Sequence, residues 1–454
     1  MNEKVNQIID SYREEYTETL RRWVQIPSVK GEPEEGAPFG REVRNMLDRA
    51  MADAEAMGFA VRNVDGYACD VTLGDAKEKI AVLGHLDVVP AGDGWTRPPF
   101  GAETGNGKMY GRGTGDDKGP ALASLFAMKA IKEAGLPLRR SIRLILGCDE
   151  ESGWEDMAYY QTKHALPVIG FSPDACFPVI NTEKAMLHFA FSAPAAKTGL
   201  RVLRMQNGER LNVIPGDGWA LLDGDESLME RIHVWSRKTG LPVTADMRED
   251  GVWVTAKGIG GHSAYPEGRM NAIGILVTMI AALGEEGPMK TLASAVGMTF
   301  DGSGLGCDCR DEASGPLTCN MGLLRLEDGV WKGTLDLRCP VTADLEELKR
   351  QVKAHLPGFT VELLGEKEPH HVPADSELVR AVLAAYEEET GLKGKPESTG
   401  GGTYAKVLKQ GVAFGAQFPD EPDLAHQPNE CVSIDRMLLA AKIYANTLIR
   451  LAAE

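Results

Sequence analysis

An apolar run at Ile80–Gly84, a helix-period stretch from Pro120 to Ala134 and a second apolar run at Ile142–Leu146 follow one another in the chain. Leu122, Leu125, Phe126 and Ile131 share one side of the middle segment, Pro120 falls in its first turn, and Gly135 is placed to end it. Strand, helix and strand in this order predict a parallel crossover, because parallel strands cannot be joined by a tight turn. The fold class that follows is α/β, a mixed, largely parallel sheet with flanking helices. In such a sheet ligands bind beyond the carboxyl ends of the strands, so the residues just after each apolar run carry most of the functional information.

The rest of the chain extends this plan and interrupts it once. Val5, Ile8, Ile9, Tyr12, Tyr16, Leu20 and Trp23 recur at helical spacing and predict an opening amphipathic helix, followed by a helix over 42–57 and strands over 60–64 and 69–73. From about Met186 the pattern turns to short strand-like runs at 187–191, 252–256, 318–323, 331–337 and 360–363, with helices near 226–238 and 343–355. This is the texture of an inserted α+β domain, and its passages 211–256 and 317–363 form a candidate diverged repeat. After His371 the α/β pattern returns, with helices over 376–390 and 434–453 and a strand over 412–417. The expected division is a first domain built from residues 1–185 and 371–454 and an insert over 186–370, since 454 residues exceed what one core ordinarily holds.

Composition narrows the functional classes. A formal net charge of -17 argues against a nucleic-acid partner, which needs a basic face. The N-terminal stretch has no apolar core of an export signal, and no later stretch approaches the roughly 18 consecutive apolar residues of a membrane span. The eight cysteines show no Cys-x-x-Cys pairing, so they are expected to be reduced thiols of a soluble, cytoplasmic protein. Cys307 and Cys309 lack a second Cys/His pair for a metal site, and Cys148 and Cys176 are expected to be packed thiols.

Acidic and histidine residues then collect where the sheet argument looks for them. His85 follows IAVLG, Glu150 and Glu151 follow SIRLILG, and Asp174 follows PVIGFS. Asp116 lies in GRGTGDDKGP, whose glycines let the backbone turn tightly, and His426 opens HQPNE. Two divalent ions about 3.5 to 4 Å apart need a bridging carboxylate, outer His or carboxylate ligands and open positions for water and substrate. Asp116 suits the bridge. Asp87, two residues after His85, can fix the imidazole's tautomer, and of Glu150 and Glu151 one can bind metal while the other stays free as a general base. Each cluster has a plainer reading: the glycine loop as a phosphate cradle, which lacks the Walker spacing and carries two acids, and DEES as a helix N-cap.

The motifs HLDVVP, GRGTGDDKGP, DEESGW, SPDACFPV, GGHSAYPEGRMNA and HQPNE together resemble the co-catalytic di-zinc metallopeptidase family of dipeptidases, aminoacylases, desuccinylases and glutamate carboxypeptidases, and within it the peptidase V dipeptidases. The resemblance covers essentially the whole chain, with all six motifs in the family's order. It implies a zinc exopeptidase-like catalytic domain with the insert as a lid. Asp116 becomes the bridging ligand, His85 and Asp174 the ligands of one metal, Glu151 and His426 those of the other, with Asp87 orienting His85 and Glu150 as general base and later proton donor. A cis peptide is implied at Asp116–Asp117. In the insert, His262 matches the histidine that hydrogen-bonds the oxyanion, and Asn212 and Arg338 match substrate-holding positions, Arg338 through a C-terminal carboxylate. GGGTYA at Gly400–Ala405 resembles a substrate-binding glycine loop, whereas His370 and His371 are expected to be structural or to line the outer pocket.

The implied activity is metal-dependent hydrolysis of dipeptides with a free C-terminal carboxylate, by a metal-bridging water that Glu150 deprotonates. The alternative is an N-acyl-amino-acid amidohydrolase of deacetylase or desuccinylase type, and a remote one is a non-catalytic binding protein. Two divalent ions are expected, Zn first with Mn or Co also suited to the donors. The expected partners are small peptide substrates, with no nucleic acid or membrane, and a doubled lid in place of a partner subunit implies a monomer.

Overall fold

The computed structural model describes residues 2–453. The chain forms two compact units, one of Met1–Asn181, His371–Glu397 and Gly402–Glu454, the other of Thr182–His370 with Ser398–Gly401. The second unit therefore includes part of the glycine-rich stretch that sequence placed after the insert.

In the first unit the strands run in the order Ala60–Val64, Ala68–Leu73, Ser141–Gly147, Lys79–His85, Ile169–Ser172 and Gln410–Ala413. Lys79–His85 pairs in parallel with both neighbours, and Gln410–Ala413 is parallel to Ile169–Ser172, while the Ala60–Leu73 hairpin adds an antiparallel edge. The sheet is mixed with a parallel centre, as the crossover pattern required. Helix Lys118–Ala134 is the crossover, ended by Gly135 in the left-handed region at φ 70°. It is buried on nearly every side, with Tyr12 and Tyr16 packing edge-on against Phe126 at ring separations of 5.3 and 5.4 Å. Register places Lys79 opposite Ser141 and His85 opposite Gly147, so two neighbouring strands release their following loops at one level. That alignment starts the site.

Three local expectations change. The opening helix is two, Glu3–Ser11 and Arg13–Val24, because the Tyr12 N–H bonds the Ile9 carbonyl three residues back instead of four. Its apolar face stays continuous through the break, with Val5, Ile9, Tyr12, Tyr16, Leu20 and Trp23 all buried. The strand expected over 412–417 splits into Gln410–Ala413 and Ala416–Gln417 around a cis Gly415–Ala416 bond, where the Phe177 ring would lie 2.3 Å from any Cβ at position 415. Cys176 is exposed and donates to Gln417 Oε1 at 3.1 Å rather than being packed away.

The second unit is an antiparallel sheet in the order Val243–Arg248, Gly251–Lys257, Asp217–Leu222, Val202–Asn207, Thr318–Glu327, Val330–Cys339, Ala185–Pro194, Thr360–Lys367. The two halves of this sheet join through a short ladder, Gln206 opposite Arg325 and Asn207 opposite Leu324. Each half has its own helix between strands, Glu226–Thr239 and Leu345–Ala354. Helices Ala272–Ala282 and Pro288–Ala295 went unanticipated, the first because a helix buried nearly all round carries no 3.6-residue stripe. No described helix is long and apolar enough to cross a membrane.

Candidate metal centre

The loop carrying Asp116 is held by a residue four positions beyond His426. Buried Glu430 takes the Arg112 guanidinium at 2.7 Å and the Gly113 N–H at 3.1 Å on Oε2, and the Gly115 and Asp116 N–H groups at 2.8 and 3.2 Å on Oε1. The loop can close this tightly because Gly113 has φ 85° and a Cβ at Gly119 would stand 2.1 Å from the Thr114 carbonyl. The Asp116–Asp117 peptide is cis, and Asp117 turns inward to accept the His85 backbone N–H at 3.1 Å. Sequence reading quoted Glu430 within its motif without a role. An Arg112–Glu430 pairing between the two motifs was the available signal.

Asp116 faces two clusters at once. Oδ1 lies 2.9 Å from His85 Nε2, and Oδ2 lies 3.0 Å from His426 Nε2. Asp174 Oδ2 is 3.8 Å from His85 Nε2, and Glu151 Oε1 is 2.9 Å from His426 Nε2. Donor atoms of His85, Asp116 and Asp174 all fall within 4.8 Å of one another, as do those of Asp116, Glu151 and His426. Two imidazoles and three carboxylates with one acid common to both groups are a donor set that fits a pair of divalent ions.

Asp87 ties the two strand ends together. The nearer acceptor for His85 Nδ1 is the Asp87 main-chain oxygen at 2.9 Å, with the carboxylate Oδ1 at 3.4 Å. The carboxylate spends its main contacts elsewhere, taking the N–H groups of Glu150 and Glu151, each at 3.1 Å. Asp149, first of the four acidic-cluster residues, is structural: it pairs with Lys30 at 2.7 Å and takes the Glu155 N–H at 3.1 Å before helix Glu155–Lys163. Asp156 supports the turn from below through the N–H groups of Cys148 and Asp149 at 2.6 and 3.0 Å and the Tyr404 hydroxyl. The capping reading of DEES thus describes Asp149, and Glu151 reaches His426 instead.

The charges are strongly perturbed. Burial and the nearby charges of Asp174, Glu151 and Asp116 push the Glu150 carboxyl well above its ordinary range. Burial and the Asp116 charge raise Asp174 to about 7, and the same two causes raise Glu151 against the opposing pull of His426. Burial opposes ionisation of Asp116, but hydrogen bonds from His426 and His85 prevail and hold it far below the usual carboxylate range. Burial likewise opposes charge on His426, yet Asp116 and Glu151 push it up to about 11. Like charges crowded this closely mark a site built to share cations.

His262, Asn212 and Arg338 belong to the second unit. Val213 pairs with His262 in a two-stranded piece, and the Ser263 N–H bonds the Asn212 carbonyl at 3.0 Å, so Asn212 and His262 are neighbours. His262 is exposed, with Nδ1 accepting the Ala264 N–H at 3.2 Å. Arg338 is buried, giving Nη2 to Asp336 at 2.9 Å and Nη1 to the Gly400 carbonyl at 2.7 Å, while its Nε has no acceptor among the described residues. Asp336 also takes the Ser263 hydroxyl at 2.5 Å, which links Arg338 to the His262 segment. His370–His371 is a two-residue strand at the end of the nine-stranded sheet's order.

Comparison with known proteins gives a consistent result. The model of Peptidase family M20/M25/M40 matches residues 81–450, a span that contains every residue of the two metal-ligand groups. "Putative dipeptidase YtjP" of Bacillus subtilis (strain 168) is 35% identical over 453 residues, covering 97% of this chain and 98% of its own. The Beta-Ala-Xaa dipeptidase of Lactobacillus delbrueckii subsp. lactis is 31% identical over 428 residues, covering 92% and 91%. Among solved structures, the di-peptidase Dug1p of Saccharomyces cerevisiae superposes with TM-score 0.62 at 16% identity over 98% of each chain, and human carnosine dipeptidase 1 with TM-score 0.60 at 16% identity over 99% of each. At these identities the structural matches speak for the fold alone.

Proposed function

Because this chain belongs to peptidase family M20/M25/M40 and is a metallopeptidase of that family, we propose that it is a dipeptidase that hydrolyses dipeptides with a free C-terminal carboxylate. The observation that carries the reading is Asp116, which turns one oxygen toward each of two ligand groups, while Glu150 feels the charges of Asp174, His85, Glu151 and Asp116 and belongs to neither group. His85, Asp116 and Asp174 would hold one divalent ion and Asp116, Glu151 and His426 the other, with Zn favoured and Mn or Co compatible with the donors. Bound there, the ions would polarise the scissile carbonyl and make water acidic enough to attack near neutral pH.

Glu150 is assigned as the base that takes a proton from the attacking water and returns it to the leaving amine. Its raised affinity for protons suits both halves of that cycle. Asp87 positions rather than reacts, since it fixes the His85 ring and the two glutamate N–H groups together. From the second unit, His262 is assigned as the donor to the developing oxyanion, and Asn212 and Arg338 as substrate-holding groups. Arg338 already has Asp336 and Gly400 as partners, so its part in substrate binding includes holding the Ser263–His262 segment. The two four-stranded halves of the second unit support placing the protein with peptidase V dipeptidases that act as monomers.

The test is amino-acid release from dipeptides (with X-His and β-Ala-X members), tripeptides and N-acyl amino acids, after loading the full chain with Zn or Mn. Cleavage confined mainly to dipeptides is the expected result. Cleavage of N-acyl amino acids alone would keep the ligands and Glu150 but make the protein an amidohydrolase, and no hydrolysis with both metals bound would leave a binding protein.

A further inference from the structure

The parallel strands of the first unit begin at a second cavity, at the end opposite the metal-ligand residues. Lys79, Ile169 and Gln410, which open three of those strands, line it together with Arg143. A seven-residue strand such as Lys79–His85 spans roughly 20 Å, which separates this cavity from the metal centre. Its volume is about 730 Å³, within the range of roughly 300 to 1,000 Å³ typical of small-molecule sites.

The lining is strongly basic in a chain of net charge -17. Arg62, Lys77, Lys79, Arg140, Arg143 and Lys163 contribute cations against the carboxylates of Glu78 and Glu377. Arg62 pairs with Asp70 at 2.5 Å, Lys163 with Asp65 at 3.3 Å, and Arg140 with Glu377 and Glu78 at 2.7 and 3.3 Å. Lys77, Lys79 and Arg143 have no carboxylate within ion-pair distance among the described residues. Among the described residues, Arg143 reaches the Tyr160 hydroxyl at 3.4 Å, and its buried Nε has no acceptor. His164, on the same wall, has its proton affinity lowered by burial first and then by Arg62, Arg143 and Lys163, against the opposing Asp70 charge. Beside these groups Leu166, Pro167 and Ile169 form an apolar strip, with Val168 57% exposed next to it.

Three uncompensated cations in one small cavity favour a multiply charged anion over a monocarboxylate, and a guanidinium with lysines beside it suits phosphate oxygens. The apolar strip calls for an organic body attached to them. We propose that this cavity is a second binding site, taking a small organic phosphate whose phosphate groups meet Lys77, Lys79 and Arg143 and whose body lies on Leu166, Pro167 and Ile169. It is independent of the hydrolytic reading, which uses none of these residues.

The test is calorimetry on the metal-loaded full chain with inorganic phosphate, AMP and ADP as probes at low salt, where exposed charges are least screened. ADP is expected to bind saturably and more tightly than inorganic phosphate. In Lys77→Glu/Lys79→Glu, and separately in Arg143→Gln, the affinity should fall by about tenfold or more, the loss that follows removal of charge-assisted bonds. Unchanged dipeptide turnover in the lysine variant certifies its fold. His426→Ala should leave ADP binding intact, because that variant disturbs only the metal centre. No saturable binding of ADP or AMP overturns the proposal, as does binding that survives the lysine and arginine variants but disappears in His426→Ala. Inorganic phosphate binding as tightly as ADP would overturn the organic part and leave a bare anion site.

Discussion

The two units place their candidate functional residues on very different supports. In the first, the candidate ligands His85, Glu151 and Asp174 lie at or just past the ends of parallel strands while Asp116 and His426 lie in loops, and the set is cross-braced: Glu430 grips the Asp116 loop, Asp87 joins the His85 and Glu150 loops, and Asp156 holds the turn before Glu150. In the second, His262 sits exposed on a two-stranded piece, its Nδ1 accepting the Ala264 N–H. The candidate metal ligands are tied down by hydrogen bonds to the buried carboxylates of Glu430 and Asp87, whereas His262, assigned to the oxyanion, stands on an exposed two-residue strand where adjustment costs less. The contrast predicts that damage in the first unit destroys the site, while damage in the second changes how well it works.

The largest effect is expected at the residue both ligand groups leave free. Glu150→Ala should lower kcat by about 10²- to 10⁴-fold while metal content stays at the wild-type level by elemental analysis. Loss of metal in this variant would refute the base assignment and make Glu150 a ligand. In the second unit, His262→Ala should lower kcat by about 10²- to 10³-fold, also with metal retained. If His262→Ala instead lost metal or melted early, the division between rigid and adjustable supports would fail.

Glu430→Ala probes the brace. It leaves Arg112 buried without its carboxylate and frees three backbone N–H groups, so a stability loss of about 3–5 kcal/mol is expected in denaturant unfolding, together with weaker metal binding. A variant that unfolds like wild type would show that the loop keeps its shape unaided. The smallest effect is in pH. Without metal, His426 is pushed up to about 11 and Asp174 to about 7, so near neutral pH both hold protons that a cation must displace. Metal loading should therefore release protons, and apparent metal affinity should rise with pH between about 6 and 8, measurable by titration in buffers of different ionisation enthalpy. Affinity independent of pH would mean that the ligands are already deprotonated.

The parallel centre was legible because Ile80–Gly84, Pro120–Ala134 and Ile142–Leu146 each carry a clear pattern and their order admits few connections. His85, Glu151 and Asp174 were legible too, since each follows an apolar run that ends at the same side of a sheet, and His426 through its HQPNE motif. Helix Ala272–Ala282 was not, being apolar on almost every face. The break at Tyr12 escaped as well, because a shift from a four-residue to a three-residue hydrogen bond leaves the buried face of the sequence unchanged. Cys176, expected packed because the ligand set beside it is complete without a thiol, is exposed, since sequence does not say which side of a short strand meets solvent.

By itself the sequence determined which residues can carry the chemistry and on which strand ends they lie, because side-chain type and hydrophobic period are local properties. Only the tertiary structure decided that Asp116 offers one oxygen to each histidine, that Glu430 closes the loop beneath it and that Asp149 is a brace while its two neighbours are not. It also decided that Lys77, Lys79 and Arg143 converge on one cavity at the far end of the same strands. Those outcomes depend on distances between segments tens to hundreds of residues apart, which are set by strand register and helix packing rather than by any local pattern.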